Sequence, residues 1–113
     1  MSAWALKDRL RADLKIAMQA QASAEVRLLR TLIAALDNAE AVPGEQKYVP
    51  RAFGDPANEV ARRELDAAAV DRLLGAEIDS RLAAAADYER HQRDDDGARL
   101  RAEAEMIARY REG

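Results

Sequence analysis

The chain has 113 residues, enough for one small domain with a modest core. Hydrophobic residues make up 49% but aromatic residues only 4%, and charged residues reach 35%, a composition typical of helices with charged outer faces. There is no cysteine, which excludes disulfides and thiolate metal sites, and a net charge of −3 excludes a strongly basic nucleic-acid binder.

Two amphipathic helices are predicted in the first helical half, residues 1–42. The first runs from about Ala3 to Ala22, and the second from about Ala24 to Ala41 with Ser23 as its N-cap. The predicted apolar stripe of the first helix is Leu6, Leu10, Leu14, Ala17 and Met18. That of the second helix is broader and comprises Val26, Leu28, Leu29, Leu32, Ile33, Leu36 and Ala39.

A long loop is predicted at residues 43–58, because the stretch "VPGEQKYVPRAFGDPAN" holds all three prolines and two glycines. Tyr48, Arg51 and Phe53 are its candidate partner-binding residues. Two interpretations stay open: the loop folds back over the helices, or its aromatic residues dock a partner.

Two further helices are predicted in the second helical half, residues 59–113. Asp66 caps a long third helix, from about Ala67 to Gln92, with a stripe of Val70, Leu74, Ile78, Leu82 and Ala85. Favourable i,i+4 ion pairs are expected from Glu77 to Arg81 and from Glu89 to Arg93. Asp94 or Asp95 caps the fourth helix, whose apolar face is Leu100, Ala104, Ile107 and Tyr110. Four helices without a strand pattern predict an all-α fold, a small four-helix bundle forming a single domain over residues 1–113.

A basic ridge is the candidate nucleic-acid-binding feature. Lys7, Arg11 and Lys15 recur every four residues along the first helix, and Arg27 and Arg30 follow on the second. The ridge can meet phosphates, or it can be a solvated helix back with intrahelical partners such as Asp8. No aromatic residues are interleaved with it, which weakens a single-strand interpretation. Residues 1–42 carry a net charge of +1 and residues 59–113 one of −4.

Glu40 raises a separate question, because it shares a helical stripe with Leu29, Ile33 and Leu36. Either it pairs with Arg30 or another partner, or it is a last-turn residue already outside the core. The sequence indicates no catalytic residue, metal or cofactor. His91 is the only histidine, Asp94 to Asp96 resemble capping residues rather than spaced calcium ligands, and no glycine-rich phosphate loop is present.

Two stretches, "DLKIAMQAQ" and "RLLRTLIAALDNAE", resemble the opening of the GatB/YqeY family. The matching residues are Asp13, Leu14, Lys15, Ala17, Met18, Leu29, Arg30, Leu32, Asn38 and Glu40. "VDRLLGAEIDSRLAAAADYERHQRDD" and "AEAEMIARY" resemble its later helices, with Glu77, Tyr88, Asp95, Ala102, Glu103 and Tyr110 in place. The resemblance covers residues 9–110. Asp96 stands where the family often has leucine, the proline-rich loop looks like an insertion, and the family's C-terminal helical tail is missing.

The resemblance implies a YqeY-like helical module related to the tRNA-dependent Asn/Gln amidotransferase, a carbon–nitrogen ligase with glutamine as amido donor. In that complex the helical and tail regions help to hold tRNA while catalysis sits elsewhere, so a non-catalytic adaptor for tRNA or for amidotransferase subunits is expected. The pattern also makes Arg30, Asn38 and Glu40 candidate structural anchors. The alternative is a homo-oligomeric protein-interaction domain without an RNA role. The charged N-terminal "MSAWALKDRL" and the lack of a long apolar run predict a cytoplasmic protein without a membrane partner. No DNA partner is expected.

Overall fold

The computed structural model describes residues 1–41 and 64–112, which form four α-helices. Their bounds are α1 Ala3–Gln19, α2 Ser23–Glu40, α3 Ala67–Arg90 and α4 Asp94–Glu112. Helix α1 packs on α2 and α3 packs on α4, so the chain forms two antiparallel hairpins. The predicted all-α fold is confirmed for these residues. The loop residues Tyr48, Arg51 and Phe53 lie outside the described residues.

One apolar cluster receives side chains from all four helices. Leu6 of α1 and Leu36 of α2 are fully buried, as are Leu74 of α3 and Ile107 of α4. Leu65 joins the cluster from the position before the N-cap of α3. The hairpins therefore share one core, as expected when each helix has a single apolar stripe to bury.

The stripe of α1 differs from the predicted one at its C-terminal end, where Met18 is half exposed and Leu14 only partly buried. A spacing of four residues advances by about 40° for each step, so Leu6, Leu10, Leu14 and Met18 rotate out of the core. The buried stripe mixes spacings of three, four and seven and comprises Ala3, Leu6, Leu10 and Ala17. The same drift leaves Leu82 of α3 exposed.

The turn between α1 and α2 explains why Ser23 does not act as the predicted N-cap. Gln21 adopts a left-handed backbone with φ of 57°, and the Ala22 amide donates to the Ala17 carbonyl at 2.9 Å. This Schellman-type ending reverses the chain within three residues. Ala22 becomes the N-cap without a side-chain hydrogen bond, and Ser23 is the first residue of α2.

The start of α3 follows the prediction and its end does not. The Asp66 carboxylate accepts a hydrogen bond from the Ala69 amide at 2.7 Å, which confirms the predicted N-cap. The helix ends at Arg90, and Gln92 then adopts a φ of 62°. Since Arg93 no longer continues the helix, the expected Glu89–Arg93 pair does not form: Glu89 binds Arg101 instead.

Candidate nucleic-acid interface

Lys7 does not belong to an exposed ridge, and this part of the sequence prediction is wrong. Only 8% of its surface is exposed, because it lies about 60° from Leu10 on the core-facing side of α1. Its ammonium donates to Glu40 Oε2 at 3.0 Å and to Asp37 Oδ1 at 3.3 Å. Lys7 is therefore held at the α1–α2 contact and cannot reach a phosphate.

Glu40 has a partner, and that partner is Lys7 rather than Arg30. Its exposure is also 8%, and its Oε1 atom lies 2.9 Å from the Lys7 Nζ atom without accepting a hydrogen bond from any described residue. A carboxylate at the C-terminal end of a helix meets the negative end of the macrodipole, and the buried ammonium offsets this repulsion. Glu40 and Lys7 thus join the end of α2 to the start of α1.

The other predicted anchors differ from Glu40. Asn38 is exposed, and its side chain makes no hydrogen bond within residues 1–41 and 64–112. Arg30 is exposed, and among the described residues its guanidinium contacts only the Met18 sulfur, at 4.0 Å. That contact places an α2 arginine beside the outer side of α1.

Four cations of the predicted ridge remain on the surface, and we call them the basic face: Arg11, Lys15, Arg27 and Arg30. None of the four forms a salt bridge with another described residue. Arg27 and Arg30 border an open depression of about 440 Å³ at the turn of the hairpin, which Met18 and Val26 also line. The α1–α2 hairpin therefore carries uncompensated positive charge along one side and at its tip.

Trp4 adds an aromatic residue to this surface, which the sequence analysis did not foresee. It is 71% exposed, the most exposed large hydrophobic side chain among the described residues. Arg11 and Lys15 follow it by seven and eleven residues, so all three lie within about 40° on α1. The sequence spacing could have placed Trp4 on this surface, because Trp4 lies about two helical turns before Arg11.

The cations of α3 and α4 are in a different situation, because most of them pair with carboxylates. Three ion pairs cross between the two helices: Asp71–Arg111 at 2.8 Å, Arg81–Glu103 at 3.3 Å and Glu89–Arg101 at 2.6 Å. Further pairs lie within the hairpin: Glu77–Arg81, Asp87–Arg90, Arg93–Asp96 and Arg99–Glu103. The expected Glu77–Arg81 pair is confirmed, at 2.6 Å.

A cleft of about 150 Å³ between α2, α3 and α4 contains three arginines, yet it is a poor anion site. Arg81 is held by Glu77 and Glu103, and Arg99 is held by the same Glu103. The carboxylates already neutralise these two guanidinium groups. Only Arg27 at the edge of the cleft is without a carboxylate partner among the described residues.

Tyr110 ties α4 to α1 and has a structural role. Its hydroxyl donates to Asp13 Oδ2 at 2.5 Å, and the Arg9 guanidinium lies 4.7 Å from the centre of its ring. Burial, followed by the hydrogen bond to the Asp13 carboxylate, raises the pKa of the Tyr110 hydroxyl. The phenol therefore stays protonated at neutral pH and donates to Asp13.

The remaining candidate residues lie at helix ends. His91 follows the last residue of α3, is exposed, and its Nδ1 atom lies 2.8 Å from the Asp87 carbonyl. Asp94, Asp95 and Asp96 form the first turn of α4, where carboxylates are favoured by the macrodipole. Within the described ranges, no three metal-ligating side chains converge. No described helix combines the length and the apolar character needed to span a bilayer.

Comparisons with protein-family models, with curated proteins and with solved structures each give no match for this chain. The YqeY-like assignment therefore stays a prediction from the residues.

Proposed function

We propose that this chain is a non-catalytic, YqeY-like helical module that binds RNA of the tRNA class through the basic face. The observation that carries the proposal is that Arg11, Lys15, Arg27 and Arg30 are exposed on one hairpin and have no carboxylate partner among residues 1–41 and 64–112. The resemblance of residues 9–110 to the GatB/YqeY family supplies the class of RNA. The proposal assigns no catalytic residue.

The charge distribution supports a local contact rather than a strong, general one. Residues 1–41 carry six Lys and Arg against five Asp and Glu, whereas residues 64–112 carry eight against thirteen. Phosphates are attracted to the basic face and repelled by the α3–α4 hairpin, which orients a bound RNA on the N-terminal hairpin. Lys7 does not add to this attraction, because its ammonium group is already paired with Glu40 and Asp37.

A salt-dependent titration tests the proposal. Labelled bulk tRNA is titrated with the chain and its fluorescence anisotropy is measured at about 50 and about 200 mM salt. Four phosphate contacts predict a slope near −3 in log K against log salt, so the affinity should fall by roughly 50-fold between the two conditions. The absence of binding at the lower salt concentration would exclude the proposal.

A second candidate function, a homo-oligomeric interaction domain, is favoured by a different part of α1. Ile16 is 63% exposed, and Ala5 and Ala12 are exposed within about 40° of it. Such a stripe of small and apolar side chains fits a helix of a second copy. Analytical ultracentrifugation tests this candidate: a dimer that Ile16→Asp converts to monomer supports it, and a monomer at all concentrations excludes it.

A further inference from the structure

We infer that Trp4 is a stacking platform for one unpaired base, so that the basic face selects RNA with single-stranded nucleotides over continuous duplex. This inference rests on the proposed function and names the substrate class of the same surface. It starts from the 71% exposure of Trp4, because an indole ring that the core does not cover is available to stack on a base.

The positions of the neighbouring cations suit a nucleotide chain. At 1.5 Å per residue, Arg11 lies about 10 Å and Lys15 about 16 Å from Trp4 along the axis of α1. One flipped base on the indole would therefore leave the following phosphates beside Arg11 and Lys15. Stacking on aromatic rings combined with cations along the backbone is the usual chemistry of single-strand recognition.

A continuous duplex cannot use the indole in this way. Its bases are stacked on each other, and the deep, narrow major groove of A-form RNA does not admit side chains. Duplex RNA can still reach the four cations, but it gains nothing from Trp4. The affinity for RNA therefore has two contributions. The electrostatic one is common to both RNA forms, and the stacking one is specific to unpaired bases.

An anionic lipid surface fits the same helix less well. A helix that lies in a membrane interface inserts an apolar face. The apolar face of α1 is occupied, because Leu6 and Leu10 are fully buried in the core. Trp4 alone, flanked by Arg11 and Lys15, offers one ring rather than an apolar stripe.

The chain contains a single tryptophan and three tyrosines, so fluorescence excited at a wavelength that tyrosine does not absorb reports Trp4 alone. The experiment titrates the full chain with a short unstructured RNA, with the blunt duplex that this RNA forms with its complement, and with vesicles of equal parts phosphatidylglycerol and phosphatidylcholine. Free N-acetyltryptophanamide corrects for absorption by the RNA. Anisotropy of end-labelled RNA measures binding independently for the wild type, for Trp4→Ala and for Trp4→Phe.

We expect quenching by the single strand and little change with duplex or vesicles. Trp4→Ala should weaken single-strand binding at least about fivefold, which is the lower end of the effect of removing a stacking ring. Trp4→Phe should retain most of the affinity, and Leu82→Ala, which removes an exposed apolar side chain on α3, should change nothing.

The other outcomes separate this inference from the proposed function. Equal binding of both RNA forms without quenching, and with Trp4→Ala unchanged, would overturn the stacking platform and leave the basic face intact. A blue-shifted emission with vesicles, together with no RNA binding by anisotropy, would overturn both in favour of a lipid surface. An absence of any RNA binding would overturn the proposed function itself.

Discussion

The two hairpins of this protein hold their charges in opposite ways. In the α1–α2 hairpin one cation, Lys7, is buried between two carboxylates, while the four cations of the basic face are exposed and form no salt bridge with a described residue. In the α3–α4 hairpin, three ion pairs join the helices and several more lie along them. The cations of the second hairpin are thus mostly paired with carboxylates, whereas those of the basic face have no such partner among the described residues.

The two hairpins also differ in the size of the side chains that they bury. Helix α2 contributes four buried leucines, whereas the buried residues of α3 and α4 include the small residues Gly75, Ala85, Gly97 and Ala104. Small residues let two helices approach closely, which brings arginine and carboxylate side chains within reach of each other across the contact. The four cations of the basic face have no such partners among the described residues, so the four arginines of residues 1–41 and the eight of residues 64–112 differ in pairing as well as in number.

The largest effect is expected from the buried ion pair of the first hairpin. Lys7→Met leaves the buried Glu40 carboxylate without a counter-charge and should destabilise the protein by about 3–5 kcal/mol. Adding Glu40→Met should recover most of this loss, because the unpaired charge is then removed as well. Urea denaturation measures the free energy of unfolding of both variants, with the exposed Lys15→Met as the matched control. If Lys7→Met destabilises the protein no more than Lys15→Met does, the anchor role is contradicted.

A smaller effect is expected where α3 and α4 approach each other. A Cβ at Gly97 would lie 2.8 Å from the Glu89 Cγ atom and 3.3 Å from the Ala85 carbonyl, so Gly97→Ala should destabilise by about 1–3 kcal/mol through overpacking. At Gly75 the nearest atoms to a Cβ belong to the Arg111 guanidinium, at 3.1 Å, which is the far end of a flexible side chain in an exposed ion pair. Gly75→Ala should therefore be near neutral, since alanine favours the helix by up to about 1 kcal/mol. Equal melting temperatures for the two variants would show that the close approach lies elsewhere.

The smallest effect concerns pH and the ion pairs of the second hairpin. The hydrogen bond from Arg101, followed by its charge, lowers the pKa of the Glu89 carboxyl from its ordinary value of 4.5. Because the folded pKa is depressed, the pair contributes stability above pH 4.5, and this contribution is lost as the pH falls through the folded value. The difference in melting temperature between wild type and Arg101→Gln should shrink on acidification. A difference that is the same at neutral and acidic pH would argue against the pair.

The sequence was sufficient for the fold class and for most buried positions. Leu6, Leu10, Leu36, Leu74 and Ile107 follow from helical spacing alone, since a stripe of leucines needs a core. Helix ends were harder, because Gln21 and Gln92 adopt left-handed conformations that usually favour glycine, and the sequence carries no such signal at either turn.

The candidate site shows where sequence reasoning stops. A regular four-residue spacing placed Lys7 with Arg11 and Lys15, although a rotation of about 40° per step carries Lys7 into the helix contact. Its pairing with Glu40 spans 33 residues, so no local pattern could reveal it. The helical position of Trp4 could be predicted from the spacing. Its exposure could not, because exposure depends on which parts of the fold cover α1.

The most direct test of the account compares two variants that lose the same charge in different places. One replaces the four residues of the basic face with glutamine, and the other replaces Arg90, Arg93, Arg99 and Arg101 of the second hairpin with glutamine. Both variants lose four positive charges, and the measurement is the salt dependence of their affinity for tRNA. We predict that the first variant loses binding and its salt slope, while the second keeps both and melts at a lower temperature. Equal losses of affinity in the two variants would show that only net charge matters and would contradict the account.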